Sequence, residues 1–564
     1  MIKKTCKQCA VEFTVDDKDL EFLKKISPTF AGTSFQIPPP DYCPTCKHMR
    51  RLAWRNEIHL YSRKCDLCEK QIVSMYSPNK PFKVYCLKCW WSDKWDGKDY
   101  GMDYDPNKPF PEQFKELLLK IPHAGMTVTN STNCDYCTNT VSSKNCYMLL
   151  SARAEDSMYG RKLVDCREVF DSLFVTDSEK CYEIIFSANC YNSKFIFHGN
   201  RCSDSMFLFD AEDCDNCFMS SNIRHKKYFY RNRQLTKNAY EKAVKIEYDG
   251  SYQKQEKLRR EYLKLIKGSV HKENRNLSCE NCTGNYLNHC KNCVECFETI
   301  GAENSKRVYD SMGDPSSDQL DCDLIPGGEL NYDSTSSYPL YHSAFCVLDY
   351  GCHNSYYSFS CQNNCDNLFG CASLKRDEYC VLNKQYSKQE YEKLVLQILN
   401  NMKVPGEWGN FIPPDLATFG YNESIANDFW PMSRAEAKKL GYSWEDNDCS
   451  LQYSGVFYQP KDNTADYAND EQERKKLLSG VLKCQVSNRP FKILSQELVF
   501  YIKNNIPIPR ISFFERHRER MRLRNPRQLF DRKCDKCKRE MKTTYSLDRP
   551  EKVYCEECYR KAII

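Results

Sequence analysis

Between residues 130 and 230 one pattern of polar and apolar positions returns about every twelve residues. A polar residue, a Cys or Ser, and then aromatic and aliphatic residues recur as Asn145-Cys-Tyr-Met, Asp156-Ser-Met-Tyr, Asp171-Ser-Leu-Phe and Lys180-Cys-Tyr-Glu. They continue as Asn192-Ser-Lys-Phe, Asp204-Ser-Met-Phe, Asn216-Cys-Phe-Met and Lys227-Tyr-Phe-Tyr. A helix of that length needs capping and a longer apolar stripe, whereas a short strand plus a turn fits. Such units stack into a parallel β-solenoid, with the small Cys or Ser turned inward and Asn or Asp at the bend. Residues 279–380 repeat the design, opening with Asn281-Cys, Asn292-Cys and Asn304-Ser. His342-Ser-Ala-Phe, Asn354-Ser-Tyr-Tyr, Asp366-Asn-Leu-Phe and Glu378-Tyr-Cys-Val follow.

The ends of the two arrays align without a gap at an offset of 151, C-D-N-C-F at 214–218 on C-D-N-L-F at 365–369. Each closes on a capped helix, with Thr236 in the first and Ser387 with Glu390 as a capping box in the second. Such a cap hides the last open edge of a stack. Elsewhere P-E-Q-F-K-E-L-L-L-K-I (111–121) reads as a short amphipathic helix, with Pro111 in its first turn and Pro122 at its end. Ser433 to Glu436 forms another capping box, stopped by Gly441. Residues 401–483 are otherwise aromatic-rich without a catalytic pattern and read as a strap on the second array, with a polar, mobile stretch over Lys461–Glu473.

Composition narrows the class. The chain has 564 residues, too many for one core, and 35 cysteines. No apolar signal core and no bilayer-length apolar run is present, so the cysteines read as reduced and the expected location is cytoplasmic, without membrane association. Net charge is +6 overall but unevenly placed: +6 over residues 1–100, +10 over 484–564 and −10 between them. Any polyanion would meet the ends.

Those ends carry the clearest chemistry. Lys64–Trp90 and Lys533–Tyr559 align without a gap at an offset of 469. Cys65, Cys68, Cys86 and Cys89 fall on Cys534, Cys537, Cys555 and Cys558, each set C-x2-C, seventeen residues, C-x2-C. Two such pairs bring four thiolates to a tetrahedron, as a structural zinc site requires. Cys6, Cys9, Cys43 and Cys46 form a third set, with a strand-like and then a helical stretch between the pairs, stopped by Pro38–Pro40. The C-terminal counterpart of this third set has decayed to Cys484, Ser487, Ser512 and Glu515, where Phe491, Ile493, Leu498, Phe500 and Tyr501 offer an apolar core instead. Three zinc ions are expected. The C-x2-C pairs inside the arrays read as core packing, because Ser and Cys interchange there and Cys217 becomes Leu368.

The duplication also retains a basic connector. Arg50, Arg51, Arg55 and Arg63 precede the first ribbon of the repeated pair; Arg516, Arg518, Arg520, Arg522, Arg524 and Arg532 precede its copy. These are candidate phosphate contacts, with Trp54, Trp90, Trp91 and Trp95 as candidate base-stacking surfaces. The competing reading is a solvated helix whose arginines pair with nearby Glu515, Glu519 and Asp531.

The expected class is mainly β and multidomain: two parallel β-solenoid-like lobes with helical caps, flanked by zinc-ribbon modules. Ribbon A spans 1–50, and the connector with ribbon B spans 51–100. A linker helix (101–129), the first lobe (130–232) and a helical cap and linker (233–275) follow. Then come the second lobe (276–384), its cap helix (385–403), the strap (404–483), the degenerate ribbon (484–515) and the second connector with its ribbon (516–564).

With these pieces placed, the chain resembles a family of cysteine-rich zinc-ribbon and β-repeat proteins of candidate-phyla bacteria. The resemblance runs through C-P-T-C-K-H-M-R-R-L-A-W-R-N-E, Y-S-P-N-K-P-F-K-V-Y-C-L-K-C-W-W-S-D-K-W-D, N-K-Q-Y-S-K-Q-E-Y-E-K and R-P-E-K-V-Y-C-E-E-C-Y. The terminal modules resemble treble-clef ribbons. Members sometimes carry a CaiB/BaiF-type CoA-transferase label, which implies a large α/β enzyme with a catalytic Asp, unlike the ribbons and repeats read here. The resemblance implies architecture and zinc, and no activity.

Three functions are compatible. A non-catalytic zinc-stabilised adaptor would recognise a macromolecular partner through its stacked faces. A nucleic-acid binder would use the basic ends. A β-helix enzyme acting on polysaccharide would need clustered carboxylates, but Asp156, Asp171 and Asp204 sit at turn positions where Asn or Lys substitutes. His198, His225, His342 and His353 have no partner at a useful spacing. No catalytic residue and no small-molecule cofactor is expected.

Overall fold

The computed structural model of the protein describes residues 1–309, 311, 315–324, 327–447 and 452–563. The fold is strand-rich, with 30% strand and 25% helix. Two units are present, and neither is contiguous in sequence. One combines Met1–Met126, Asn274–Asn447 and Arg527–Leu529; the other combines Thr127–Glu273, Asp448–Pro526 and Phe530–Ile564. The N-terminal ribbons therefore share a unit with the second array, and most of the C-terminal module shares a unit with the first. Among the described residues no helix is long and apolar enough to cross a membrane.

The first array forms a twelve-stranded sheet in which successive strands pair in parallel. Lys194 lies opposite Met206, and Met206 opposite Phe218. The backbone has a finer period than the sequence displays. Asn189, Asn192, Phe195, His198, Arg201, Asp204, Phe207 and Asp210 all have positive φ, one residue in three. Each such residue costs roughly 1–2 kcal/mol outside Gly, Asn and Asp, so the parallel ladder has to over-determine it. The left-handed residue breaks the alternation of the strand, and the residue after it turns inward. Ser193, Ile196 and Cys202 are buried in this way, followed by Ser205, Leu208, Ala211 and Cys214. The narrow interior also requires Gly199, where a Cβ would run into Ile196.

The interchange of Ser and Cys follows from these inward positions. Ser205 Oγ donates to the Ser203 carbonyl at 2.7 Å and accepts the Cys217 N–H at 3.0 Å. Ser193 Oγ does the same with the Tyr191 carbonyl at 2.9 Å and the Ser205 N–H at 3.3 Å. Cys202 Sγ donates to the Asn200 carbonyl at 3.6 Å, the same two-residue reach backwards. A short side chain with one donor satisfies the backbone at these positions, whether it ends in oxygen or sulfur.

The second array repeats this plan in an eight-stranded sheet that is parallel except for its last strand. Leu340 faces Cys352, a step of twelve, whereas His353 faces Asp366, a step of thirteen. The extra residue is absorbed where Asn363 and Asn364 both take positive φ. Both arrays close on a short antiparallel turn, Arg233–Gln234 or Lys384–Gln385, followed by a helix. Ser387 and Glu390 form the capping box of Lys388–Lys403, and Thr236 caps Lys237–Glu247.

Two segments read as linkers belong to the ribbons. Helix Phe110–Lys120 delivers His123–Ala124, which pairs in parallel with Val84–Tyr85 of ribbon B. Helix Tyr252–Gly268 delivers Val270–Lys272 to Lys552–Tyr554 in the other unit. In each case the strand histidine uses Nε2 on the preceding helix, His123 on the Leu118 carbonyl at 2.7 Å and His271 on the Ile266 carbonyl at 2.9 Å. Its Nδ1 faces the ribbon tyrosine, Tyr76 at 3.5 Å or Tyr545 at 2.9 Å. The strap packs Trp408, Phe411 and Ile412 into the core that holds Trp54, Phe345 and Tyr357. The stretch read as mobile instead contains helices Ala465–Asn469 and Glu471–Ser479, anchored by the fully buried Tyr467.

One inward position of the second array holds an acid. Asp349 accepts the Cys361 N–H at 2.8 Å, the role Ser plays elsewhere, and its carboxyl is pushed up to about 7 by burial against neutral partners. Between about pH 4 and 7 the folded state therefore binds a proton that the unfolded state has lost, and stability falls as pH rises through that window. Asp349→Ser should stabilise this unit by about 2–4 kcal/mol at pH 8, with the gain shrinking as pH falls towards 4. All seven tryptophans lie in the same unit, so denaturant titration followed by Trp fluorescence reads it. A gain that does not change with pH would refute the burial account.

Candidate metal centres and buried ion clusters

Three quartets of cysteine could each hold a metal ion: Cys6, Cys9, Cys43 and Cys46; Cys65, Cys68, Cys86 and Cys89; and Cys534, Cys537, Cys555 and Cys558. Within each the four Sγ atoms lie within 4.8 Å of one another. The first pair of each sits on a tight turn. In ribbon B the Cys65 N–H donates to the Lys70 carbonyl at 2.9 Å, the Glu69 N–H returns to the Cys65 carbonyl at 2.9 Å, and Glu69 takes positive φ. Its copy does the same through Arg539 and Lys538. The second pair starts a helix, Pro44–Leu52, Leu87–Trp90 or Glu556–Arg560, with Cys43, Cys86 or Cys555 as N-cap.

Backbone N–H groups converge on one sulfur of each ribbon. Cys65 Sγ accepts the Cys86 N–H at 3.2 Å, and Cys534 Sγ accepts the Cys555 N–H at 3.3 Å. Burial raises both thiols, but these N–H donors outweigh it and bring Cys65 down to about 7 and Cys534 to about 6. Cys89 and Cys558 are pushed up to about 12 by burial and by their sulfur neighbours. A divalent cation bound there would override that ordering, because coordination deprotonates a thiol outright. Among the described residues no cysteine inside the arrays joins such a quartet. Cys166, for one, is raised to about 11 by burial.

The degenerate site keeps its geometry. Cys484 Sγ accepts the Ser512 N–H at 3.3 Å, as Cys6 Sγ accepts the Cys43 N–H at 3.3 Å. Asn488 provides the left-handed turn residue, and Ile493, Leu498, Phe500 and Tyr501 are buried, with Phe500 stacked 3.7 Å from Phe170 of the array. Glu515, at the fourth ligand position, pairs with Arg518 at 2.8 Å.

Most of the candidate phosphate-binding arginines face inward. Arg51 is fully buried, its Nε 2.5 Å from Asp323, and it also pairs with Asp333. Lys47 Nζ, one turn earlier, lies 2.9 Å from both Asp321 and the Tyr332 hydroxyl. In the other unit Arg516 lies 3.0 Å from Asp171, and Arg520 lies 3.0 Å from Asp171 and 3.1 Å from Glu183. Arg55 pairs with Glu57 at 2.5 Å. Arg63 and Arg532 are matched: each holds an aspartate three residues on, Asp66 at 2.9 Å or Asp535 at 3.1 Å, and two ribbon carbonyls. Arg524 is buried over the Phe174 ring, and Arg50 is buried beside Tyr42. Of the ten, only Arg518 and Arg522 are exposed. Trp54 and Trp90 are core residues, while Trp91 is half exposed.

Sequence reasoning missed the acids that receive these cations. The signal was present. Asp171 and Glu183 stand 150 residues before Asp321 and Asp333, just as Lys47 and Arg51 stand 469 before Arg516 and Arg520. The acidic middle and the basic ends are complementary within the chain. Compared with known protein families, curated proteins and solved structures, the chain matches none.

Burial pushes Asp321 and Asp323 up, but the cations around them outweigh it and hold both below the usual carboxylate range. The stabilisation this implies is complete above about pH 4 and is lost as pH falls below it. Arg51→Gln strands two buried carboxylates and should destabilise its unit by about 3–5 kcal/mol at pH 7. Trp fluorescence would show an earlier transition, and the gap to wild type should narrow below pH 4. A change under 1 kcal/mol at pH 7 would mean that the cluster is not structural.

Proposed function

We propose that the protein is a non-catalytic scaffold in which three structural zinc ions staple ribbons onto two parallel β-solenoids, whose outer faces recognise a macromolecular partner. The observation that carries this reading is the closed character of the three quartets. Each supplies four sulfur ligands and keeps no position for water or substrate, as structural rather than catalytic zinc requires. The twelve-residue register steps and the three-residue inward period support the solenoid reading. Soft tetrahedral sulfur sites suit zinc or iron, and elemental analysis with an absorption spectrum separates the two. Three zinc ions per chain and no visible absorption are expected. Cys65→Ser should reduce the content to two and expose residues 60–125 to trypsin while leaving Thr127–Glu273 protected, because metal binding supplies roughly 10 kcal/mol or more to such modules. Loss of all three ions together would contradict separate sites.

A nucleic-acid reading retains one specific support, the exposed Arg518 and Arg522 on helix Phe513–Arg522. Arg518→Glu with Arg522→Glu tests it without touching the buried cluster. If RNA or DNA is the partner, a gel shift at low salt should disappear in this variant and weaken steeply with salt in the wild type. No shift with either protein, zinc retained, leaves the protein-binding scaffold.

A further inference from the structure

Arg50 stands beside Arg51 on the same helix but has a different fate. Its side chain is more than nine-tenths buried, stacked 4.3 Å over the Tyr42 ring. Its Nη2 donates to the carbonyls of Phe411 at 3.2 Å and Ile412 at 3.5 Å. Among the described residues its Nε has no hydrogen-bond partner and its guanidinium has no carboxylate. Lys47, Arg51 and Arg55 each have one. A buried cation without a counter-charge is costly. The helix itself does not demand it, because the equivalent position of the other unit is Glu519, paired with Arg259 at 2.9 Å.

Arg50 forms part of the wall of a cleft of about 270 Å³ whose apolar lining includes Phe110, Phe114, Tyr357, Met402 and Phe411. That is room for roughly nine water-sized groups. The other charged groups at the cleft do not neutralise the arginine. Lys7 is held by Asp41 at 2.7 Å. Glu407 is raised by burial and by Glu112 against the opposing N–H of Phe110, which disfavours its anion. A cleft with apolar walls and a few convergent polar groups is the usual form of a small-ligand site, and a guanidinium without a counter-charge favours a carboxylate.

We propose that this cleft binds a small amphiphilic carboxylate, with its carboxylate on Arg50 and its alkyl or aryl body on the Phe110, Phe114 and Met402 surface. The same chemistry comes from a free acid or from the C-terminal carboxylate of a peptide ending in an apolar residue. The site is independent of the zinc reading.

Isothermal calorimetry on the full-length, zinc-loaded protein tests it with octanoate, 4-phenylbutyrate and the peptide Gly-Gly-Leu-Phe, each against its C-terminal amide. At least one acid should bind tenfold or more tighter than its amide. Arg50→Gln should bring the two within twofold, and Met402→Trp should block both by filling the cleft. Tighter binding of the peptide acid than of the free acids identifies a chain terminus as the source, and the reverse identifies a free acid. Arg50→Met removes the uncompensated charge, so the Trp-fluorescence transition of the ligand-free protein should not move to lower denaturant. Equal binding of every acid and its amide, or no binding by any, in protein with three zinc ions would overturn the proposal. So would a preference for acids that survives Arg50→Gln.

Discussion

In each unit a pair of cations one helical turn apart meets acids on successive strands of the array, three in one unit and two in the other. Lys47 and Arg51 reach Asp321, Asp323 and Asp333; Arg516 and Arg520 reach Asp171 and Glu183. Four residues of helix advance about 6 Å, and adjacent parallel strands lie about 4.8 Å apart. The two spacings are close enough for long side chains to span both. Once both partners leave water, neither can be removed alone without stranding a charge in the interior. The pairing therefore fixes the ribbon helix against its array more firmly than apolar burial alone, which tolerates sliding. It also accounts for the charge map, in which basic ends and an acidic middle neutralise each other inside the fold.

The same constraint explains how a chain of this order folds into two units. The modules are duplicated with the ribbon at one end of the chain and its array far away, so adjacency in sequence cannot select the partner. Selection has to come from the surfaces. The two ion clusters are alike but not identical, with Lys47 against Arg516 and Asp333 against Glu183. Asp323, the 2.5 Å partner of Arg51, falls on Leu173 in the first array, so an exchanged Arg51 would lose one of its desolvated partners. The helices that deliver His123 and His271 add a strand to each ribbon, so part of the ribbon's stability comes from chain that leads directly into the other unit.

What the sequence revealed and what it hid divide along local and non-local information. The cysteine spacings, the capping boxes at Ser387 and Ser433 and the twelve-residue step are local, and each appears in the structure. The three-residue period was hidden because its left-handed positions hold Phe195, His198 and Phe207 as well as Asn and Asp, residues whose propensities say nothing of such a backbone. Burial of the arginines was hidden because their partners lie hundreds of residues away, and a run of arginine looks the same whether water, phosphate or aspartate receives it. The roles of 101–129 and 233–275 were also non-local. Only the matched helix-to-histidine spacing, Leu118 to His123 and Ile266 to His271, hinted that both segments build one motif.

The duplication also acts as an internal control, because the two halves were free to diverge wherever packing did not object. At the degenerate site the turn at Cys484 keeps the hydrogen bond from the Ser512 N–H to its sulfur, with an apolar core in place of the other three cysteines. At the ribbon the four cysteines remain in both copies, in a small module whose buried residues are few apart from those cysteines. The cations of the ion cluster and two of its acids remain in both copies, Asp321 and Asp333 on Asp171 and Glu183, while Asp323 falls on Leu173. On the same helix the charge differs between copies, Arg50 against Glu519. Each finds partners inside its own unit, Arg50 the carbonyls of Phe411 and Ile412 and the Tyr42 ring, Glu519 the Arg259 guanidinium, so the helix position itself asks for neither charge.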